Sequence, residues 1–287
     1  MTRRATLIGF SAVLMWALLA ALTIGTAPVP PLQLNTICFA IGGSIGLIWM
    51  ARGAGFGVLR DIGWKVYAAG TIGLFGYHFL YFTAFRWAPY AETGLIAYLW
   101  PLFIVLLSGL LPGERLRPMH VVGALLALGG AALILLAGGA GWRPGALPGM
   151  ALAFVCAVTW AVYSVASRRF GAVPTEAVTV YCLATAALSL GAHLSLETTA
   201  WPDSTSGWVS IVLLGLGPVG LAFFTWDIGM KRGDIQLLGV ASYAAPLLST
   251  LALIVLGRAE ATPLLLISAL MIAGGAALAA RASLKGG

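Results

Sequence analysis

Apolar residues in this chain gather into long, nearly unbroken runs separated by short spacers of Pro, Gly and charged residues. A helix that crosses a hydrocarbon core needs roughly 20 mainly apolar residues. Divided at that length, the chain gives ten runs: 5–25, 32–51, 64–87, 91–111, 119–138, 147–169, 174–194, 207–231, 235–256 and 263–281. The longest spacer, 195–206, is too short for a soluble domain, so function must lie inside the helical bundle or at its mouths. The first run follows Arg3 and Arg4 as a signal peptide would, but its length suits a spanning helix better than a cleaved segment.

The two halves repeat. A shift of 145 residues lays Gly129-Gly130-Ala131-Ala132-Leu133 on the identical Gly274-Gly275-Ala276-Ala277-Leu278. The same shift carries Tyr98 to Tyr243, Pro101-Leu102 to Pro246-Leu247 and Pro118 to Pro263, while Trp16 and Trp160 match at 144. One register that aligns prolines and a tyrosine as well as small residues is a repeat signal. With five helices per repeat, the second enters the membrane from the opposite side. The expected fold is an all-α integral membrane protein, with inverted repeats at 1–140 and 141–287 around a central cavity. The small-residue runs Gly123–Gly139 and Ser268–Ala280 are expected to hold the fifth and tenth helices together, with a dimer contact as the alternative.

Composition agrees that water is not the solvent. Of the 287 residues, 60% are hydrophobic and 9% charged, with a mean hydropathy of +0.98, against about 25% charged in soluble domains. The net charge of +7 comes from 16 Lys and Arg scattered through the spacers, which argues for membrane topology and against a nucleic-acid face. With the N-terminus in the cytoplasm, Arg3, Arg4, Arg52, Arg60, Lys65, Arg115, Arg117, Arg168, Arg169, Lys231, Arg232, Arg281 and Lys285 fall on that side. Only Arg86, Arg143 and Arg258 fall outside, so both termini are expected in the cytoplasm. Cys38, Cys156 and Cys182 sit within apolar runs and read as packing residues, not metal ligands or disulfides.

Candidate chemistry is sparse. Pro101 and Pro246 stand inside apolar runs at matching positions, and each should free the carbonyl four residues earlier, Ala97 and Ser242. Paired breaks near midplane suggest a cavity between the repeats, although packing kinks would use the same prolines. Aromatic side chains with polar tips surround the breaks: Tyr77, His78, Tyr81, Tyr98, Trp100, Trp160, Tyr163 and Tyr243. Several lie too deep for an interfacial belt, and suit either dry packing or a cavity that stacks on a planar side chain. His78 is the ionisable residue nearest midplane, a candidate hydrogen-bond partner or proton-linked switch against the plainer reading of a satisfied core histidine. Asp227 precedes Lys231 by four residues, as in an ion pair at the membrane face, and Arg86 and Glu92 flank an outer turn as a candidate pair or gate. No metal-binding, nucleophilic or Walker motif is present, so neither catalysis, a cofactor nor ATP drive is expected.

Ten short-looped runs, the Gly76-Tyr77-His78 stretch and the paired Tyr98-x-x-Pro101 and Tyr243-x-x-Pro246 together resemble the EamA-like exporters of the drug/metabolite transporter superfamily, and most of all the YddG-type aromatic amino acid exporters. The resemblance implies a basket-shaped bundle in a bacterial inner membrane that exports amino acids without a cofactor. It implies cavity-lining roles for His78, Tyr81, Tyr98, Trp100, Pro101, Trp160, Trp226 and Tyr243, to which the residues themselves add Tyr163 and Pro246. The leading expectation is secondary amino acid export by alternating access, from a monomer or a dimer in lipid. Export of another neutral metabolite or drug is the alternative, and a membrane-embedded enzyme or a scaffold a more distant one.

Overall fold

The hydrocarbon solvent dictates the secondary structure: backbone amides and carbonyls that meet no water must bond within their own segment, and helices do this. The computed structural model of the protein describes residues 2–137, 145–255, 257 and 260–284, and among them every regular element is helical. Arg143, Arg258, Lys285 and Gly139 lie outside the described residues. The helices are α1 (Thr2–Ala17), α2 (Leu19–Ile24), α3 (Pro31–Arg52), α4 (Trp64–Thr71), α5 (Tyr77–Trp87), α6 (Tyr90–Ala97), α7 (Trp100–Ser108) and α8 (Pro118–Leu136). There follow α9 (Leu147–Arg169), α10 (Ala177–Leu196), α11 (Thr205–Leu216), α12 (Ala222–Arg232), α13 (Ile235–Ala241), α14 (Ala244–Val255) and α15 (Pro263–Leu284). Pro31, Pro118 and Pro263 each open a helix, where a missing N–H costs no hydrogen bond.

Eight stretches are long and apolar enough to cross a membrane: Arg3–Ile24, Pro31–Arg52, Pro118–Leu136, Leu147–Arg169, Ala177–Leu196, Thr205–Arg232, Ile235–Val255 and Pro263–Leu284. Glu92–Ser108 is a shorter apolar stretch. The continuous helix from Trp64 to Trp87 stands apart because Tyr77, His78, Tyr81 and its glycines dilute its hydropathy.

Several expected single helices are broken. The 91–111 run divides into α6 and α7 at Tyr98–Leu99, and the 235–256 run into α13 and α14 at Ser242–Tyr243. The breaks fall two to four residues ahead of Pro101 and Pro246, and of the two carbonyls expected to be freed, Ala97's is and Ser242's is not. The amide of Ala245 donates to Ser242's carbonyl at 3.1 Å, tightening that turn, whereas Ala97's carbonyl takes no backbone bond among the described residues. Two π-helical turns interrupt the 64–87 and 207–231 runs, at Ile72–Gly76 and Gly217–Leu221, 145 residues apart.

Close backbone approach holds the bundle where lipid offers no hydrophobic drive. A Cβ built on Gly229 of α12 would stand 2.5 Å from the Cα of Gly9 in α1. One built on Gly123 of α8 would stand 2.6 Å from the carbonyl oxygen of Gly275 in α15. The fifth and tenth runs are therefore packed on each other, as their small residues suggested. The most extensive pairings are α8 with α15, α3 with α10, α1 with α12 and α5 with α9.

Candidate functional site

Four helices each present one tryptophan to a common point. The ring centroids of Trp16 (α1), Trp100 (α7), Trp160 (α9) and Trp226 (α12) lie within 6.4 Å of one another in all six pairings, from 5.1 Å for Trp16–Trp226 to 6.4 Å for Trp160–Trp226. Most pairs meet edge to face, the arrangement that the ring quadrupoles favour. Trp100, Trp160 and Trp226 are buried.

The four indole N–H groups are not equivalent. Trp16 Nε1 donates to the carbonyl of Pro218 at 3.0 Å, inside the second π-helical turn. Trp226 Nε1 donates to Ser164 Oγ at 3.0 Å. Those of Trp100 and Trp160 meet no protein acceptor among the described residues. They are the groups of the cluster free to receive a carboxylate or carbonyl.

One wall is built by α5. Tyr77 meets Trp160 at a tilt with centroids 5.1 Å apart, and Tyr81 lies 5.9 Å from Tyr77 on the next turn. His78 turns the other way, meeting Phe39 edge-on at 4.9 Å and Phe223 at 5.8 Å. His78 Nδ1 lies 2.7 Å from the carbonyl of Leu74 in the first π-helical turn. A carbonyl only accepts, so Nδ1 carries the proton and Nε2 of the neutral ring is an acceptor. In both halves, then, a carbonyl of a π-helical turn anchors an aromatic ring N–H of the site, in keeping with the frequent placement of such turns at functional sites.

The remaining candidates sit at the edges. Tyr163 packs 5.3 Å from Trp160 and against Gly73, on the side of the bundle away from the other three indoles. Pro101 and Pro246 are buried in the first turns of α7 and α14. Tyr243 is fully buried and its hydroxyl accepts from the amide of Leu102 at 3.1 Å, while half-buried Tyr98 packs beside Leu102 and Tyr243. Trp16, Phe39 and Phe223 were missed by sequence reasoning. For Trp16 the signal existed, in its repeat match to Trp160; for the two phenylalanines nothing distinguished them from other apolar residues.

Polar networks close the two ends. At one, Glu114 between α7 and α8 pairs with Arg168 of α9 and accepts from Gln236 Nε2 of α13 at 3.2 Å, while Arg168 also donates to the carbonyls of Met230 and Gly233. At the other, Arg86 pairs with Glu197, a partner 111 residues away that its proximity to Glu92 did not suggest. Glu197 also accepts from the amides of Leu32 and Gln33 and lies 3.0 Å from His193 Nδ1. Asp227 and Lys231 do pair, at 2.8 Å, but within the protein, their side chains 2% and 3% exposed. The three cysteines are free and buried, and no group of three potential metal ligands occurs among the described residues.

The cluster presents π faces with tyrosine hydroxyls and an imidazole beside it, and none of the residues named in it is a Lys, Arg, Asp or Glu. Comparison with known proteins gives the family. The model of the EamA-like transporter family matches twice, over residues 3–136 and 147–281. The chain is 57% identical to the aromatic amino acid exporter YddG of Ancylobacter novellus over 96% of each protein, and 28% identical to the exporter of the same name from Escherichia coli K12 over the full length of both. A crystal structure 55% identical in sequence superposes with a TM-score of 0.94 over 98% of each chain. The chain is a membrane transporter, not an enzyme, and it belongs to the EamA-like transporter family.

Proposed function

We propose that the chain exports aromatic and other neutral amino acids, the aromatic side chain packing against the cluster of Trp16, Trp100, Trp160 and Trp226. The observation that carries this reading is the mutual proximity of the four indoles, two from each half of the chain. A site shared between halves is remade whenever the halves rock, which couples binding to alternating access. The unpaired N–H groups of Trp100 and Trp160 serve the carboxylate, and Nε2 of His78 with the hydroxyls of Tyr77 and Tyr81 the ammonium. Tyr98, Tyr163, Tyr243, Pro101 and Pro246 bound the cavity and position its walls.

The halves are 1–140 and 141–287, each of five crossings, ten in all, inverted with respect to each other. Support comes from the π-helical turns spaced by 145 residues and from the helix pairings. Under that shift α1 becomes α9 and α12 becomes α5, so the α1–α12 and α9–α5 pairs exchange, while α3–α10 and α8–α15 map onto themselves. The thirteen-to-three division of basic residues supports cytoplasmic termini in a bacterial inner membrane.

In this orientation the chain is closed toward the cytoplasm. Gly239 of α13 packs on α7 against Val105 and the carbonyl of Pro101, backed by the Glu114–Arg168–Gln236 network. The corresponding halves at the outer end, α6 and α14, have no comparable packing among the described residues. Counterflow into liposomes preloaded with tryptophan tests the proposal. Protein-dependent uptake of labelled tryptophan, phenylalanine or methionine is expected; uptake confined to other solutes in the same panel would replace the amino acid by another neutral metabolite.

A further inference from the structure

A crevice of about 350 Å³ lies on the flank of the bundle, between α9, α12, Tyr181 of α10 and the first π-helical turn. It is separated from the four indoles by Tyr163. Its open side is marked by Ile72 and Val162, 65% and 50% exposed on a surface that hydrocarbon covers in a membrane transporter. Its lining extends along α9 from Val158 to Phe170, just past the helix end, a distance of roughly 18 Å at 1.5 Å per residue.

The end near Phe170 is polar. Asp227 Oδ2 accepts from Lys231 Nζ at 2.8 Å and from Thr175 Oγ1 at 2.7 Å, and the same Nζ donates to the carbonyl of Val173 at 2.9 Å. Both side chains are more than nine-tenths buried and both line the crevice. An ammonium has three hydrogens and a carboxylate two oxygens. Asp227 Oδ1 and the third Nζ hydrogen therefore have no protein partner among the described residues. Burying two ions costs several kcal/mol each unless their remaining hydrogen-bonding capacity is met, and here one acceptor and one donor adjoin a cavity. Because the pair is neutral as a whole, its complement is a ligand that carries both signs: an ammonium for Oδ1 and an anionic oxygen for Nζ.

We infer that the crevice binds one phospholipid whose head bears a primary ammonium beside its phosphate, with the ammonium on Asp227, the phosphate on Lys231 and one acyl chain laid along α9. The polarity matches a lipid of the adjacent leaflet, cytoplasmic in the orientation proposed above, because the charged end lies at the end of the bundle and the apolar end toward midplane. A free amino acid has the same head, but its side chain would face hydrocarbon through the opening at Ile72 and Val162; an acyl chain there is continuous with the bilayer. The inference does not depend on which solute is transported.

Native mass spectrometry of the full chain in micelles containing dioleoyl phosphatidylethanolamine, phosphatidylcholine or phosphatidylglycerol tests it. One retained phosphatidylethanolamine is expected, preferred about tenfold over phosphatidylcholine, whose methylated ammonium cannot donate, as one charge-assisted hydrogen bond would give. Val162→Trp fills the mouth from the lipid face and leaves the ion pair intact, so it should fold and lose about tenfold in retention, while Asp227→Asn should lose the preference over phosphatidylglycerol. Equal retention of the three lipids, or undiminished retention by Val162→Trp, would overturn the inference. Displacement of the retained lipid by free phenylalanine would overturn it too, by assigning the crevice to the amino acid. Counterflow on the same preparations reads the transport proposal separately.

Discussion

The backbone amide of Leu102 donates to the hydroxyl of Tyr243 across 3.1 Å, tying the first turn of α7 in one half of the chain to the break between α13 and α14 in the other. The amide is one that a helix start leaves without an intrahelical partner. The repeat mate of Tyr243 is Tyr98, and no bond ends on its hydroxyl among the described residues. A relationship that the repeat permits twice is thus made once, at the end where α13 packs on α7.

Removing that hydroxyl should therefore be felt at one tyrosine and not the other. Tyr243→Phe leaves the Leu102 amide unpaired in a buried site and is expected to cost about 1–2 kcal/mol, whereas Tyr98→Phe should stay within about 0.5 kcal/mol. Thermal melting of the two purified variants checks the difference; equal losses would mean that the hydrogen bond is not what distinguishes them.

The closure proposed on the cytoplasmic side rests on Glu114, which joins Arg168 and Gln236 across the halves. Glu114→Gln keeps the shape and removes the charge, while exchanging Glu114→Arg with Arg168→Glu restores opposite charges. In a protein carrying Val105→Cys, a position fully buried on α7, Glu114→Gln should label faster with a water-soluble maleimide by about fivefold, an opening bias of about 1 kcal/mol. The charge exchange should return the rate toward its starting value, and an unchanged rate in Glu114→Gln would remove the network from the gate.

Gly123 of α8 has no room for a side chain, because its neighbour is the backbone of Gly275, whereas Gly63 meets nothing within 4 Å. Gly123→Val is expected to destabilise the α8–α15 pair by about 1–3 kcal/mol. Gly63→Ala should melt like the wild type, and a similar melting temperature for Gly123→Val would show that the two helices tolerate separation.

Much of this architecture could be read from the residues because lipid enforces it. Apolar runs had to be helices, and Pro31, Pro118 and Pro263 marked helix starts to within a residue. Gly123 and Gly275 announced the α8–α15 contact. The π-helical turns at Ile72 and Gly217 were invisible, since a π turn differs from an α turn by one residue of register that no residue type demands. The helix breaks fell ahead of Pro101 and Pro246 because a proline lacks the amide that would bond four residues back and crowds that carbonyl, so each proline sits in the first turn of a new helix instead. Partners distant in sequence, such as Glu197 for Arg86, lay beyond any local rule. Of the site, the candidate aromatics were legible by type and depth, but which of them converge was not. Trp100, Trp160 and Trp226 meet Trp16, while Tyr163 turns toward the lateral crevice and Tyr243 into a packed interior.

The central claim is that the four indoles form the transport site, and Trp160 contributes both a ring face and an unpaired N–H to it. Tryptophan counterflow by wild type, Trp160→Phe and Trp160→Leu in one liposome preparation tests this most directly. Trp160→Phe should raise KM about fivefold through the lost N–H and keep the ring contact, and Trp160→Leu should raise it a further severalfold, about 1 kcal/mol for each contribution. Unchanged KM in a folded Trp160→Leu protein would contradict the account and place the solute elsewhere in the bundle.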